Sequence, residues 1–178
     1  MRVVVTGGCG HIGTYLVPML VNAGFEVISI TRGNAKPYQY DPAWEKVKAV
    51  QMDRTKEPEF AKKIGAMEPD IVVDLINFHL SDTKAMAEAL KNTRCSHYLF
   101  CSSCWAHGHG EILPFQPDDL KKQPLDEYGK QKFASEIYLK DLYRREGFPA
   151  TIIMPGQISG PGWTIMNPWA NKTVLPFQ

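Results

Sequence analysis

Apolar positions along the chain follow two patterns, short β-branched runs and longer stretches in which apolar residues recur three or four apart. Arg2 to Val5 is a β-branched run suited to a buried central strand. Ile12, Leu16, Met19, Leu20 and Ala23 then recur at helical spacing, predicting a first helix over 11–23 packed on the sheet, with Pro18 removing one of its N–H donors. Asn22-Ala-Gly24 ends that helix, and Phe25 to Thr31 (FEVISIT) reads as a second strand, which completes a β-α-β unit.

The alternation continues. Residues 34–46 are polar and proline-bearing, a surface loop with a short helical piece near Trp44, and Val47 to Met52 gives a third strand. A helix is expected over Pro58 to Ile64. Asp70 to Ile76 (DIVVDLI) is nearly all apolar, as expected of a parallel strand covered on both faces. A short amphipathic helix follows over Ser81 to Lys91, then a fifth strand over His97 to Cys101 that ends at Ser102-Ser103. After a loop rich in Gly, His and Pro, Asp126 starts a long helix running to about Glu146, with Ala134, Ile137, Tyr138 and Leu142 facing the core. Pro149 to Met154 is the sixth strand. The remaining stretch, PGQISGPGWTIMNPWANKTVLPFQ, has no periodicity and reads as an active-site loop.

Composition narrows the class. With 178 residues, 44% of them hydrophobic, the chain is long enough for one well-buried domain. Twenty basic residues against nineteen acidic ones leave no global field to recruit nucleic acid or an anionic membrane, so an anionic ligand must be held locally. The absence of a leader or a long apolar span predicts a soluble cytoplasmic protein. Cys9, Cys95, Cys101 and Cys104 lack the density of a disulfide scaffold and are expected as reduced thiols. Cys101-Ser-Ser-Cys104 has no second pair to complete a zinc site, and His107 and His109 have no third ligand in the sequence, so no metal is expected.

The chemistry begins at TGGCGHIG, residues 6–13. Gly7, Gly10 and Gly13 sit between a strand and a helix, where glycine permits the chain to reverse, the backbone to approach a diphosphate and the helix to pack closely on the strand. The anion would lie on unsatisfied N–H groups at the positive end of the helix. Thr31-Arg32-Gly33-Asn34 stands where the adenosine ribose is usually read. Arg32 offers a charged planar fork to a 2′-phosphate, favouring NADP over NAD, against the alternative of a solvated loop arginine. Asp53 lies just beyond the third strand and is read evenly as an acceptor for the adenine amino group or as a helix cap. Leu75, Ile76 and Asn77 leave the fourth strand at the edge where ligands bind in such sheets.

Tyr128 and Lys132 are four apart near the start of the long helix and project from one face. A phenol ionises near pH 10 and serves as a base at neutrality only beside a cation. Lys132, together with an oxidised nicotinamide, would supply that charge, while Ser103 at a strand end would hold the substrate oxygen as Tyr128 exchanges the proton. The alternative for the Tyr-x-x-x-Lys pattern alone is a surface pair on an exposed turn.

Together, TGGCGHIG, Asp53, SSCWAHG at 102–108, YGKQK at 128–132 and PGQISGPG at 155–162 resemble the extended short-chain dehydrogenase/reductase superfamily, in its NAD(P)-dependent epimerase/dehydratase family. The resemblance implies an α/β Rossmann-type doubly wound parallel sheet of strand order 3-2-1-4-5-6. It implies catalysis by Ser103, Tyr128 and Lys132, and a cofactor, NADP or NAD, bound by Gly7, Gly10, His11, Ile12, Gly13, Arg32, Asp53, Leu75, Ile76, Asn77, Lys132 and Pro155. The substrate it implies is most often a nucleotide sugar, and a homodimer through a face that includes the Tyr128 helix is a further implication. Residues 1–155 would form the dinucleotide-binding domain and 156–178 the start of the substrate region, the chain being a fragment or a truncated version. Three local features depart from the family's pattern: a short segment between Asn77 and the fifth strand, Ala106-His107-Gly108 in place of an aromatic Val-Tyr-Gly, and Met154 where an arginine often precedes the proline.

A second reading comes from a different class, a cofactor-binding sensor or scaffold without turnover, of which some superfamily members associate with RNA. The near-neutral charge and lack of a basic aromatic face argue against RNA, and the intact Ser-Tyr-Lys set argues against a purely binding role.

Overall fold

A computed structural model describes residues 1–33, 35–109, 114–116, 118–119 and 121–163. Six parallel strands form one sheet: β1 (Arg2–Thr6), β2 (Glu26–Thr31), β3 (Lys48–Gln51), β4 (Ile71–Asp74), β5 (His97–Cys101) and β6 (Ala150–Ile153). Their order is β3-β2-β1-β4-β5-β6, the doubly wound order expected from the motifs. β1 lies at the centre, with Val4 opposite Ile28 on one side and Val72 on the other.

Strand alternation divides the core into two layers. Val4, Ile28, Ile30, Val72, Tyr98 and Phe100 pack on one face against Ile64 of α2 (Phe60–Gly65), Met86 and Leu90 of α3 (Leu80–Leu90), and Leu139 and Leu142 of α4 (Glu127–Glu146). On the other face, Val3, Val5, Val27 and Val73 pack against Val17 of α1 (Gly13–Asn22) and Trp44 of a 3-10 turn, Pro42–Lys46. Helices on both faces explain why β1 and β4 are continuous apolar runs rather than alternating ones.

Two helix faces differ from the periodicity. α1 starts at Gly13 rather than residue 11, and it buries Gly13, Thr14, Val17 and Pro18 while Met19 is 68% exposed. The close seat of Gly13 on the glycine loop sets the helix phase, and the larger apolar side chains rotate to its flank. On α4 the buried face carries Lys132, Ser135, Glu136, Leu139 and Leu142, and Ile137 points outward. Polar side chains occupy the inner positions of α4 because the site needs them there. Residues 154–163 contain no helix or strand, and residues 164–178 of the expected substrate region lie outside the described residues.

Candidate active site

The C-terminal ends of the strands carry the site, where the loops diverge from the sheet. β1 runs into a glycine loop closed by main-chain bonds: Gly7 N–H donates to Ile30 O, Gly10 N–H to Gly7 O and Thr14 N–H to Gly10 O, each 2.9 Å. Gly7 has φ +80°, and a Cβ there would lie 2.6 Å from Ile76 Cγ2. At Gly13 a Cβ would collide with the carbonyl of Gly8. Both positions therefore demand glycine for reasons of backbone and space. The loop opens directly into α1, whose first N–H groups point into it.

Gly7, Gly10, His11 and Ile12 form one wall of a cleft of about 480 Å³. Leu75 and Ile76 of the segment after β4, Ser103 after β5, Tyr128 and Lys132 of α4, and Pro155 after β6 complete it. Ten of the residues read from the sequence thus meet in a single cavity. Gln157, Ile158 and Trp163 of the last described loop also line it, and the Tyr15 hydroxyl holds that loop by donating to Pro161 O at 2.6 Å.

The candidate catalytic side chains are fixed by their elements. The Asp126 carboxylate caps α4 by accepting from Gly129 N–H at 2.7 Å, which sets the first turn and hence the direction of Tyr128. Ser103 caps the 3-10 turn Cys104–Ala106, accepting from Trp105 N–H at 3.3 Å, and lines the same cleft as Tyr128. Partial burial raises the Tyr128 phenol above its ordinary range, and the Ser103 hydroxyl works against that shift. Lys132, only 2% exposed, donates to the carbonyls of Asn77 and Cys101, both at 2.6 Å. Its ammonium lies 5.6 Å from the centre of the Tyr128 ring, and burial lowers its pKa to about 8. The lysine remains mostly charged at neutrality and faces the phenol.

Four expected cofactor residues do not line this cleft, and one of them, Gly13, packs against Gly8 at the start of α1. Arg32 and Asp53 lie together in a separate pocket of about 380 Å³ with Lys56, at the ends of β2 and β3. Asp53 Oδ1 accepts from Thr55 N–H at 3.0 Å and Thr55 Oγ1 at 2.8 Å, closing a local turn; it does not cap α2, which starts at Phe60 with Glu59 in the cap position. Those bonds hold its carboxyl below the usual range. Asn77 is fully buried: its side chain donates to Asp74 at 2.9 Å, and its backbone carbonyl holds Lys132. The amide serves the lysine from behind instead of lining the cleft.

Periodicity alone missed several supporting groups. Asp74, at the end of an apolar strand, is buried and paired with Arg54 at 2.7 Å. Glu136, four residues after Lys132 on the same face, accepts from the Ser102 hydroxyl and from Lys122 Nζ. A charged residue inside a strand covered on both faces was the available signal for Asp74. His107, standing where the family has an aromatic, is buried with its ring stacked 4.6 Å from that of Phe115. The four cysteines are free thiols, and no group of three metal-binding side chains occurs among the described residues. No helix there is long and apolar enough to cross a membrane.

Comparison with known proteins agrees with the fold. The chain is 32% identical over 160 residues to a 2'-dehydrokanamycin reductase of Streptomyces kanamyceticus, a match covering 89% of the chain and 43% of that protein. It is 26% identical over 170 residues to the chloroplast stem-loop binding protein of 41 kDa b of Arabidopsis thaliana, over 90% of the chain and 43% of the relative. Among solved structures, UDP-glucose 4-epimerase from Brucella ovis in complex with NAD superposes with a TM-score of 0.70 at 20% identity, over 86% of this chain and 51% of that one. The chain therefore spans about half the length of these relatives. The NAD dependent epimerase/dehydratase family matches residues 3–175, and the chain belongs to that family.

Proposed function

We propose that this chain forms the cofactor-binding and catalytic part of an NAD(P)-dependent oxidoreductase or epimerase, moving a hydride between nicotinamide and a hydroxyl or carbonyl carbon of a nucleotide sugar. Residues 1–155 would bind the dinucleotide, and 156–178 would open the substrate region. The observation that carries the reading is the convergence of Ser103, Tyr128 and Lys132 on the same cleft as the glycine loop. The glycine cradle fits a diphosphate, because it brings the N-terminus of α1 to the cleft with no Cβ in the way.

A bound nicotinamide would supply the hydride donor or acceptor and, when oxidised, a positive charge in the cleft. The chain's own groups do the rest. Tyr128 exchanges a proton with the substrate oxygen, Ser103 positions that oxygen through its hydroxyl, and Lys132 holds the cofactor ribose while favouring the phenolate. Arg32 and Lys56 beside the pocket of Asp53 support a 2′-phosphate and hence NADP. The nucleotide-sugar substrate is supported by the likeness to the UDP-glucose epimerase. The similarity to the kanamycin-pathway reductase supports carbonyl reduction as the other chemistry of the same site.

Calorimetric titration of the 178-residue chain with NADPH and with NADH tests the reading. Saturable binding is expected, with NADPH tighter, and UDP-sugars would then be screened for turnover with the cofactor present. Absence of binding by either nucleotide overturns it. The similarity to a stem-loop binding protein favours a second reading, cofactor binding without turnover. Nucleotide binding unaccompanied by turnover on any UDP-sugar or ketose, together with retention of a labelled RNA hairpin, would establish that one instead.

A further inference from the structure

The most completely bonded polar group among the described residues is a carboxylate outside the cleft. Asp74 closes β4, is wholly buried, and accepts four hydrogen bonds: from Thr6 Oγ1 at 2.6 Å and Arg54 Nη2 at 2.7 Å on Oδ1, and from Asn77 Nδ2 and Tyr98 OH, both at 2.9 Å, on Oδ2. Each lone-pair direction of the carboxylate is occupied. Three of the donors come from distant segments, Thr6 of β1, Arg54 after β3 and Tyr98 on β5. The fourth, Asn77, is the residue whose backbone carbonyl receives the Lys132 ammonium.

Asn77 is held at its other end as well. The Thr83 hydroxyl of α3 lies 3.0 Å from Asn77 Oδ1 and 2.9 Å from the Ser135 hydroxyl of α4. The Asn77 side chain is thus held between a buried carboxylate and, through Thr83 and Ser135, the helix that carries Lys132.

We propose that Asp74, paired with Arg54, is a positioning residue for Lys132: it fixes Asn77, and the Asn77 carbonyl holds the lysine ammonium where it acts on Tyr128. This rests on the reading of Lys132 given above. The electrostatics run in the same direction. Burial pushes the Asp74 carboxyl up, but the Arg54 charge and the hydrogen bonds from Thr6, Arg54 and Asn77 outweigh it and hold the group below the ordinary carboxylate range. The titratable and charged groups that act on Lys132 are the Cys101 thiol of β5, Asp74 of β4, Arg54, and Glu136 of its own helix, and the Tyr128 ring lies 5.6 Å away. The rings of Phe78 and Phe100 lie about it at 5.2 and 5.0 Å. Against its burial, the Asp74 and Glu136 charges favour the ammonium and the Arg54 charge opposes it. Arg54 directly follows Asp53, so the segment at the Asp53 pocket is tied through Asp74 to the lysine of the main cleft.

The test reads Lys132 itself by NMR on the full chain grown with isotope-labelled lysine, and needs no substrate. In the unmodified protein Lys132 should titrate near pH 8. In Asp74→Asn, whose amide preserves the shape but not the charge, the midpoint should fall by about one pH unit. A folded Asp74→Asn protein with an unchanged midpoint overturns the proposal, since an aspartate that only stabilised the fold would leave the lysine alone. Thr83→Val covers the case in which Asp74→Asn does not fold. It releases the other end of Asn77, and solvent exchange of the Lys132 ammonium protons should quicken at least about tenfold. Exchange at the unmodified rate overturns the proposal equally. Failure to bind NADPH or NADH would overturn the proposed function and leave the Lys132 titration as it stands, so the two outcomes are distinguishable.

Discussion

Lys122 and Glu136 form an ion pair of 2.6 Å in which the side chains are 1% and 2% exposed. Glu136 also accepts from the Ser102 hydroxyl, next to the serine of the site, and the Lys122 ammonium stands 5.6 Å over the Phe133 ring. The pair therefore anchors the segment before α4 to the helix that carries Tyr128 and Lys132. Removing one partner leaves the other charged in a dry site, which costs far more than the pair contributes net.

Lys122→Met should accordingly lower the unfolding free energy by about 3 to 5 kcal/mol, and Lys122→Met combined with Glu136→Gln should recover most of that loss. Urea denaturation of the two variants and of Glu136→Gln completes the cycle. A double variant that loses the sum of the two single losses would mean that the pair is not energetically coupled.

In the proposed mechanism Tyr128 is the group that meets the substrate, and it lines the cleft 38% exposed. Tyr128→Phe removes the exchangeable proton and keeps the ring. Turnover should fall by about two to four orders of magnitude, with the cofactor dissociation constant nearly unchanged. Steady-state rates on an active substrate and a nucleotide titration separate the two quantities, and retained activity would remove the tyrosine from the mechanism.

Arg32 stands with Lys56 at the pocket beyond β2 and β3, where charge rather than shape would distinguish the two nucleotides. Arg32→Ala should weaken NADPH by about tenfold or more and NADH much less, the loss of one charge-assisted contact. Titration calorimetry with both nucleotides measures the difference. Parallel losses would return Arg32 to the solvated loop.

The strands were legible because a sheet covered on both faces needs uninterrupted β-branched runs, and Arg2 to Val5 and Asp70 to Ile76 supply them. The glycine spacing and the four-residue step from Tyr128 to Lys132 were legible for the same kind of reason: each is a local geometry with few sequence solutions. Helix phase was less so. Met19 and Ile137 fit the periodicity yet face outward, because the tight seat of Gly13 turns α1, and because Ser135 and Glu136 occupy the inner face of α4. Asp74 with Arg54 and Glu136 with Lys122 pair residues 20 and 14 apart in sequence. Such a meeting depends on where the sheet brings two loops, and no spacing along the chain encodes it. Asn77 was placed correctly at the strand end, but its side-chain direction follows from Asp74.

The lowered pKa of Lys132 makes stability depend on pH with a definite sign. In the folded chain the ammonium loses its proton near pH 8, against 10.5 ordinarily, because burial disfavours the charged form. Between those values the unfolded chain binds more protons, so this group's contribution to stability rises with pH across that window. Its penalty is present in full below about pH 8 and is gone above about 10.5. Cysteine and tyrosine ionisation acts over the same range, so the measurement is a difference against Lys132→Met, a substitution that keeps the volume and removes the proton. From pH 7 to 10.5 the unfolding free energy of the unmodified protein should gain on the variant by on the order of 2 to 3 kcal/mol, read from urea curves at each pH. A constant difference across the range would mean that the buried ammonium holds its proton as firmly as an exposed one. The Asn77 and Cys101 carbonyls would then compensate its desolvation completely.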